Sequence, residues 1–222
     1  MKLSKSAVLT YLQCPNKFRL QYIERIPQEA IKALERGTEI HSLVEEFFKH
    51  ERKIEEAKNE TLKKVKDEEH KKAIDHIERF AKQISRDGKT ILVPVLQETK
   101  MYDPTLNFSG VVDAVFIDGS DVLVLDWKTG QEHPLEQYRF ELSMYKYLVE
   151  VEHPAIRVTH YGIYFVDKNK LVIEEANMKE TIKSIELIKE VRKRINEKMF
   201  EKNPGWYCKF CPYFGKQCDG KR

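Results

Sequence analysis

The feature that most restricts the fold is one turn. Gly119-Ser120 separates two apolar runs, residues 111–117 and 122–125, the first of them interrupted by Asp113. Gly followed by Ser between such runs predicts a type II′ hairpin, with glycine supplying the positive φ at the first central position. Counting outward from that turn, Asp113 falls directly opposite Asp126. Opposed residues share one face of a strand pair, with Cβ atoms about 4.5–5.5 Å apart. Lys128 is two residues beyond Asp126 and shares that face. Two carboxylates so placed repel each other and weaken the pairing. A divalent cation relieves this, because Mg²⁺ is typically held by one or two carboxylates plus water and phosphate oxygens. A lysine beside such an ion orients or deprotonates a water, or steadies charge developing on a phosphoryl group. The arrangement therefore points to phosphodiester hydrolysis. The competing reading is a salt bridge of Lys128 with an aspartate on a half-exposed sheet, and a one-residue slip of the turn would put the two aspartates on opposite faces.

Around this hairpin the strand signals fall at about residues 93–102, 108–117, 121–128, 158–166 and 170–175. A helical pattern at about 134–151 separates the third from the fourth. Upstream, Leu3-Ser4-Lys5-Ser6 to about Tyr11 reads as a short serine-capped helix. From about Ile31 to His50, residues Leu34, Ile40, Leu43, Val44 and Phe47 recur at helical spacing. Residues 53–86 are rich in Lys, Glu and Asp, with Leu62, Val65, Ile74, Ile77 and Phe80 as an apolar stripe, which predicts one or two exposed helices. The last helix starts at Asn177, with Glu180 three residues on as in a capping box, and runs to about Lys202 before Pro204-Gly205 ends it. Helices, three strands, a helix, two strands and a helix imply an α/β or α+β domain on a central mixed sheet. The expectation is a single domain over residues 1–222: an N-terminal cysteine and helical region (1–90), a sheet core (91–175), and a C-terminal helix with a cysteine tail (176–222).

The net charge of +3 does not by itself mark a nucleic-acid binder. The basic run Lys189, Arg192, Lys193 and Arg194 reads as a solvated helix face. No stretch reaches the roughly 18–20 apolar residues of a membrane span. Met1 to Ala7 lacks the apolar core of a signal peptide. The expectation is a cytoplasmic protein with no membrane partner.

In that compartment the four cysteines are better read as metal ligands than as disulfides. Cys208, Cys211 and Cys218 form a Cys-x2-Cys-x6-Cys tail, and Cys14 lies almost two hundred residues away. Four thiolates complete a first coordination shell, and such sites serve zinc and iron–sulfur clusters alike. A group joining Cys14 to the tail would close a loop of nearly the whole chain. Trp206, Tyr207, Phe210, Tyr213 and Phe214 interleave the tail with Lys209 and Lys216. They would shield that group from water, or stack on the bases of a single strand.

At these residues the sequence resembles the RecB-like branch of the PD-(D/E)XK nucleases and, within it, is similar to the CRISPR-associated iron–sulfur exonucleases. Four pieces carry the resemblance: Gly110-Val-Val-Asp113, Asp126-Trp127-Lys128-Thr129, Arg36-Gly37-Thr38-Glu39-Ile40-His41, and Leu3-Ser4-Lys5-Ser6 through Cys14-Pro15. It implies a restriction-endonuclease-like core with a helical cap. It implies Mg²⁺ or Mn²⁺ held by His41, Asp113, Asp126 and the backbone carbonyl of Trp127, with Lys128 as the catalytic lysine. It implies a [4Fe-4S] cluster on Cys14, Cys208, Cys211 and Cys218. It also implies DNA, single-stranded or at frayed ends, as substrate, 5′-to-3′ exonuclease activity, and a CRISPR integrase complex as partner. A repair or replication nuclease outside CRISPR systems, and a DNA-binding iron–sulfur module with a silent site, are the alternatives. One motif departs: where the branch carries Gln-x-x-x-Tyr, Tyr145 is preceded by Glu141, with Gln137 one turn further back. Either Glu141 substitutes, or Gln137 takes over, or the contact is lost; a carboxylate facing DNA phosphate would repel it unless it helps hold a metal. Glu98, on the strand before the hairpin, is expected to be a surface charge rather than an accessory acid.

Overall fold

A computed structural model describes residues 1–28, 32–65 and 67–221, with the backbone alone for 32–34. Among these residues the strands are β1 (Leu3–Ser4), β2 (Leu96–Asp103), β3 (Phe108–Asp118), β4 (Asp121–Lys128), β5 (His160–Phe165) and β6 (Lys170–Glu175). The helices are α1 (Lys5–Gln13), α2 (Pro15–Phe18), α3 (Lys32–Phe47), α4 (Ile54–Leu62), α5 (Glu68–Ile84), α6 (Arg139–Glu152) and α7 (Met178–Asn196). The start expected at Ile31 and the side chain of Leu34 lie outside the described residues.

One mixed sheet holds all six strands in the order β1-β3-β4-β5-β6, with β2 added on β3. The β3–β4 hairpin has the register expected of a Gly119-Ser120 loop, from Asp118 against Asp121 to Ala114 against Leu125. Gly119 takes a φ of 61° and Ser120 a negative one, as a type II′ turn requires. β2 runs antiparallel along one edge of β3, from Phe108 to Val115. The other edge is shared. The two-residue β1 pairs parallel with Phe108 and Ser109, and β4 takes over from Ala114 onward. Gly110 to Asp113 therefore stand between two partners on that edge, and the sheet forks there. β1 itself lay hidden in the sequence, where Leu3 and Ser4 read as the start of a helix. Ser4 caps α1 instead, its Oγ accepting the Ala7 N–H at 3.2 Å.

Each face of the sheet is covered by its own helices. On one face α1, α6 and α7 bury Val8, Tyr11, Leu142, Leu148 and Ile188 with Val115, Val124, Tyr161 and Ile163 of the sheet. On the other, α3, α4 and α5 bury Val44, Phe48, Ala57, Ile74, Ile77 and Phe80 against Phe116, Trp127 and Tyr164. The charged segment 53–86 is thus two helices whose apolar stripe forms a core, not merely an exposed cap. The aromatic rings set the packing there: Phe80 lies 5.0 Å from Trp127 edge-on and 4.7 Å from Tyr164. Asn177 caps α7 through the Lys179 N–H, but Glu180 pairs with Lys183 rather than completing a capping box. The helix ends at Asn196, short of the expected Lys202. Its basic run is not all solvated. Arg192 donates to the carbonyls of Met1 (2.8 Å), Asn107 (3.2 Å) and Leu106, which ties α7 to the β1 edge. Among the described residues no helix is long and apolar enough to cross a membrane.

Candidate active site

The fork of the sheet is where the acidic residues meet. One step past the last β3–β4 rung, Asp113 and Asp126 face each other as the strands part. The Asp113 carboxylate fills the gap: its Oδ2 accepts the backbone N–H of Trp127 at 3.0 Å. Both aspartates are buried, at 5% and 1% exposure. Burial pushes the Asp113 carboxyl above its usual range, partly offset by His41 and Lys5. Burial, with Glu141 and Asp113 as like-charged neighbours, pushes Asp126 much further up.

His41 comes from α3 on the opposite face. The helix is held there by Arg36, which grips Asp167 through two nitrogens at 2.7 and 3.0 Å, while the same carboxylate accepts the Gly130 N–H just past Lys128. His41 Nδ1 lies 2.8 Å from Glu98 Oε1, and Nε2 lies 3.1 Å from the Trp127 carbonyl oxygen. Burial lowers the pKa of His41, but the Glu98 hydrogen bond and the charges of Asp113 and Asp126 outweigh it and raise it to about 9. The imidazolium so formed donates from both ring nitrogens and stands where acidic oxygens and a carbonyl converge.

Glu98 is not the surface charge its sequence context suggested. It is half-buried, and its backbone takes a φ of 43° within β2. The β2–β3 pairing passes from Gln97 with Ala114 to Thr99 with Val112, so Glu98 kinks out at the level of Asp113. A left-handed non-glycine residue in a strand costs free energy and clusters at functional sites. Here the kink presents Glu98 to His41. Ligand atoms of His41, Glu98 and Asp113 all lie within 4.8 Å of one another, the one such set of three among the described residues. Asp126 stays outside this set. Its buried Oδ2 is paired with Lys128 Nζ at 2.6 Å. Buried carboxylates with raised pKa values, beside a histidine and a backbone carbonyl, are a donor set that a hard divalent cation suits.

On α6, Glu141 and Tyr145 are buried side by side. Lys128 Nζ reaches Glu141 Oε1 at 3.0 Å, and Tyr145 Oη lies 3.5 Å from Asp113 Oδ1. Burial alone would lower the Lys128 pKa, but Asp126 and Glu141 hold it above its ordinary value. Glu141 is itself exposed to an opposing push from burial, and Lys5 and Lys128 bring it down to about 2. Gln137, by contrast, is exposed on a 3₁₀ turn ahead of α6. Sequence reasoning missed Lys5, whose Nζ pairs with Glu141 Oε1 and Tyr145 Oη. Its signal in the sequence was slight: one lysine at the first position of a capped helix.

The four cysteines are free thiols, and all four line one small cavity with Leu20, Tyr207, Tyr213 and Phe214. The Gly205 N–H points to Cys208 Sγ at 3.4 Å. Tyr207 Oη donates to the Gln13 carbonyl at 3.0 Å, which pulls the tail onto the N-terminal segment. The expected aromatic shield is only partial. Tyr213 is buried, but Trp206 and Phe210 are 77% and 65% exposed.

A mixed sheet flanked by helices, with buried acids and a lysine at a fork of its central hairpin, defines a hydrolytic α/β enzyme of the restriction-endonuclease type. The chain belongs to the PD-(D/E)XK nuclease superfamily, whose profile matches residues 2–215. No curated protein matches the sequence. Among solved structures, an Eubacterium rectale protein provisionally described as an exonuclease superposes with a TM-score of 0.59 at 11% identity, covering 95% of this chain and 87% of that one. A second, SSO0001, gives a TM-score of 0.41 at 14% identity over 93% of this chain and 82% of that one. The first likeness is one of fold alone.

Proposed function

We propose that the chain is a Mg²⁺- or Mn²⁺-dependent deoxyribonuclease that trims single-stranded or frayed DNA ends. The observation that carries this reading is the convergence of His41, Glu98 and Asp113 within 4.8 Å beside the Asp126–Lys128 ion pair. His41, Glu98 and Asp113 would hold the ion, with Asp126 and the Trp127 carbonyl beside it. When bound, the ion supplies Lewis acidity to the phosphate and a more acidic water. Lys128 is kept protonated by Asp126 and Glu141, so it donates hydrogen bonds to the charge that develops on the phosphoryl oxygens rather than accepting a proton. Tyr145 Oη, close to both Asp113 and Glu141, orients those carboxylates.

The preference for ends follows from the fold neighbour's description as an exonuclease and from the resemblance to the CRISPR-associated iron–sulfur exonucleases. On that resemblance the polarity is 5′ to 3′, the biological setting is spacer acquisition and the partner is an integrase complex. The four free cysteines around one cavity support a four-thiolate metal group, and the resemblance makes it a [4Fe-4S] cluster rather than zinc.

The test is degradation of 5′- and 3′-labelled single strands with Mg²⁺, Mn²⁺ or EDTA, by the parent and by Lys128→Ala. The parent is expected to shorten the strands only with metal. A Lys128→Ala variant as fast as the parent removes the mechanism. Iron and sulfide analysis of anaerobically purified protein decides between cluster and zinc, and pull-down of an integrase tests the setting.

A further inference from the structure

The cavity beside the acidic fork is walled by His41, Glu98 and Asp113 on one side and by Lys5 and Tyr145 on the other. Two carboxylates, Glu98 and Asp113, line it, and two more, Asp126 and Glu141, adjoin it through Lys128 and Lys5. Two of the four lie on the fork, one on the kink of β2 and one on α6. Lys128 is bonded to Asp126 and Glu141. Lys5 is the second ammonium group. It reaches in from the first turn of α1, pairs with Glu141, bonds Tyr145 Oη and lies 4.6 Å from the centre of the Tyr145 ring. With His41 neutral as a ligand, two lysines and one divalent ion cancel the four carboxylates. Lys2 and Lys100 also line the cavity, but both are exposed and screened by water. Among the groups withdrawn from solvent, loss of Lys5 leaves one negative charge in excess, and that charge repels an approaching phosphodiester.

We propose that Lys5 is a positioning residue of the active site: it neutralises Glu141 and holds it against Tyr145, so that the metal-loaded site accepts a phosphate and Lys128 remains aimed at it. The geometry is specific. Glu141 Oε1 is shared by both ammonium groups, so each lysine fixes the direction in which the other points. Glu141 is 6% exposed, and a carboxylate buried so deeply is not left with one partner at low cost. Freed of Lys5, Glu141 would draw Lys128 wholly to itself or turn toward the ion. A neutral glutamine at position 141 would remove the need for Lys5. The two residues are therefore one unit, joining the start of the chain to α6 across 136 positions.

This rests on the nuclease reading, and the test separates the two. Lys5→Met keeps the apolar stem against Tyr145 and deletes the charge. Lys5→Arg keeps the charge. Lys5→Met with Glu141→Gln deletes both members of the pair. On the full chain, two quantities are measured for each: kcat and KM on a single-stranded oligonucleotide with Mn²⁺, and the Mn²⁺ dissociation constant by calorimetry. Lys5→Met is expected to lose at least about tenfold in kcat/KM, while binding Mn²⁺ about threefold more tightly because a neighbouring cation is gone. Lys5→Arg, and the double variant, are expected to return both values to within about threefold of the parent. A merely structural lysine would not tighten metal binding, and would not be rescued by Glu141→Gln. A double variant as impaired as Lys5→Met, or weaker Mn²⁺ binding in Lys5→Met, overturns the proposal. If the parent binds Mn²⁺ but cleaves nothing, the nuclease reading fails. The calorimetric comparison then decides the Lys5–Glu141 unit alone, with an unchanged Mn²⁺ constant in Lys5→Met overturning it.

Discussion

Asp113 Oδ2 accepts the Trp127 N–H at 3.0 Å, so a side chain of β3 takes the place of the next backbone rung between β3 and β4. This one bond explains why the hairpin can open without leaving a buried donor orphaned. It also fixes the Asp113 carboxylate at the mouth of the fork, next to Asp126, and turns the Trp127 carbonyl toward His41.

The strain of that arrangement is electrostatic, and Asp126 carries most of it. Its folded pKa is raised by burial, Glu141 and Asp113. A carboxyl raised in the folded state destabilises the metal-free protein above its unfolded pKa of about 4, and ceases to do so below it. Asp126→Asn is therefore expected to raise the Tm of the metal-free chain at neutral pH, with the gain vanishing near pH 4. Activity should fall at least about 100-fold in the same variant. Thermal melts at pH 4 and pH 7 with EDTA read the first effect. A variant that melts lower than the parent at pH 7 contradicts it.

On the proposed reading Glu98 would support the ion through its own carboxylate and through His41. Glu98→Gln keeps the size and most of the hydrogen-bonding shape but removes the charge. It is expected to weaken Mn²⁺ binding by about 10–100-fold, with little change in melting of the metal-free protein. Calorimetric titration of Mn²⁺ measures this, and an unaltered dissociation constant would mean that Glu98 is not a ligand.

How much of this was written in the sequence depends on the range of each interaction. The Gly119-Ser120 turn is local chemistry, and it set the β3–β4 register and the meeting of Asp113 with Asp126. The helices followed from periodicity and from Ser4 and Asn177 as caps. Glu98 was not legible, because its role needs a left-handed kink at 98 and the docking of α3, and neither leaves a mark on residues 95–101. Glu141 looked like a liability when read along α6 alone. Its partners Lys5 and Lys128 come from the first turn of α1 and from β4, and only the folded chain brings them to one carboxylate. Arg192 likewise read as part of a solvated face until α7 laid it on the carbonyls of the β1 edge.

As a metal ligand, His41 would link metal binding to pH. Its pKa is raised to about 9, chiefly by the Glu98 hydrogen bond and Asp113 overcoming burial. The protonated ring offers no lone pair, so a proton and the ion compete for it. The sign follows: below pH 9 each unit of rising pH favours the ion by up to about tenfold, and above it the dependence levels off. Mn²⁺ titrations at pH 7, 8 and 9 are expected to show tightening affinity, and His41→Gln to flatten the curve. Affinity that is constant over this range in the parent would mean that His41 is not a ligand.

The cysteine cavity makes a prediction that concerns stability rather than catalysis. Cys14 joins α1 to α2, whereas Cys208, Cys211 and Cys218 lie in a tail with little buried surface of its own. The tail is held to the N-terminal segment by a few contacts, such as Tyr207 Oη to Gln13 and Tyr213 Oη to the Ile26 carbonyl at 3.1 Å. A metal group bound by all four thiolates would close a loop of almost two hundred residues. In the chain-entropy picture, a cross-link over such a loop removes about 5 kcal/mol of freedom from the unfolded state. Cys14→Ser is expected to lose the visible absorbance of the cluster, to lower Tm well below that of the parent, and to free the tail for proteolysis near residue 205. Asp113, Asp126 and Lys128 lie on β3 and β4, away from Cys14, so on the nuclease reading residual strand cleavage at low temperature is expected to persist. Limited proteolysis with and without a chelator measures the release of the tail. Equal protection of the tail in parent and Cys14→Ser protein would show that the aromatic contacts alone hold it, and that the four thiols share no ligand.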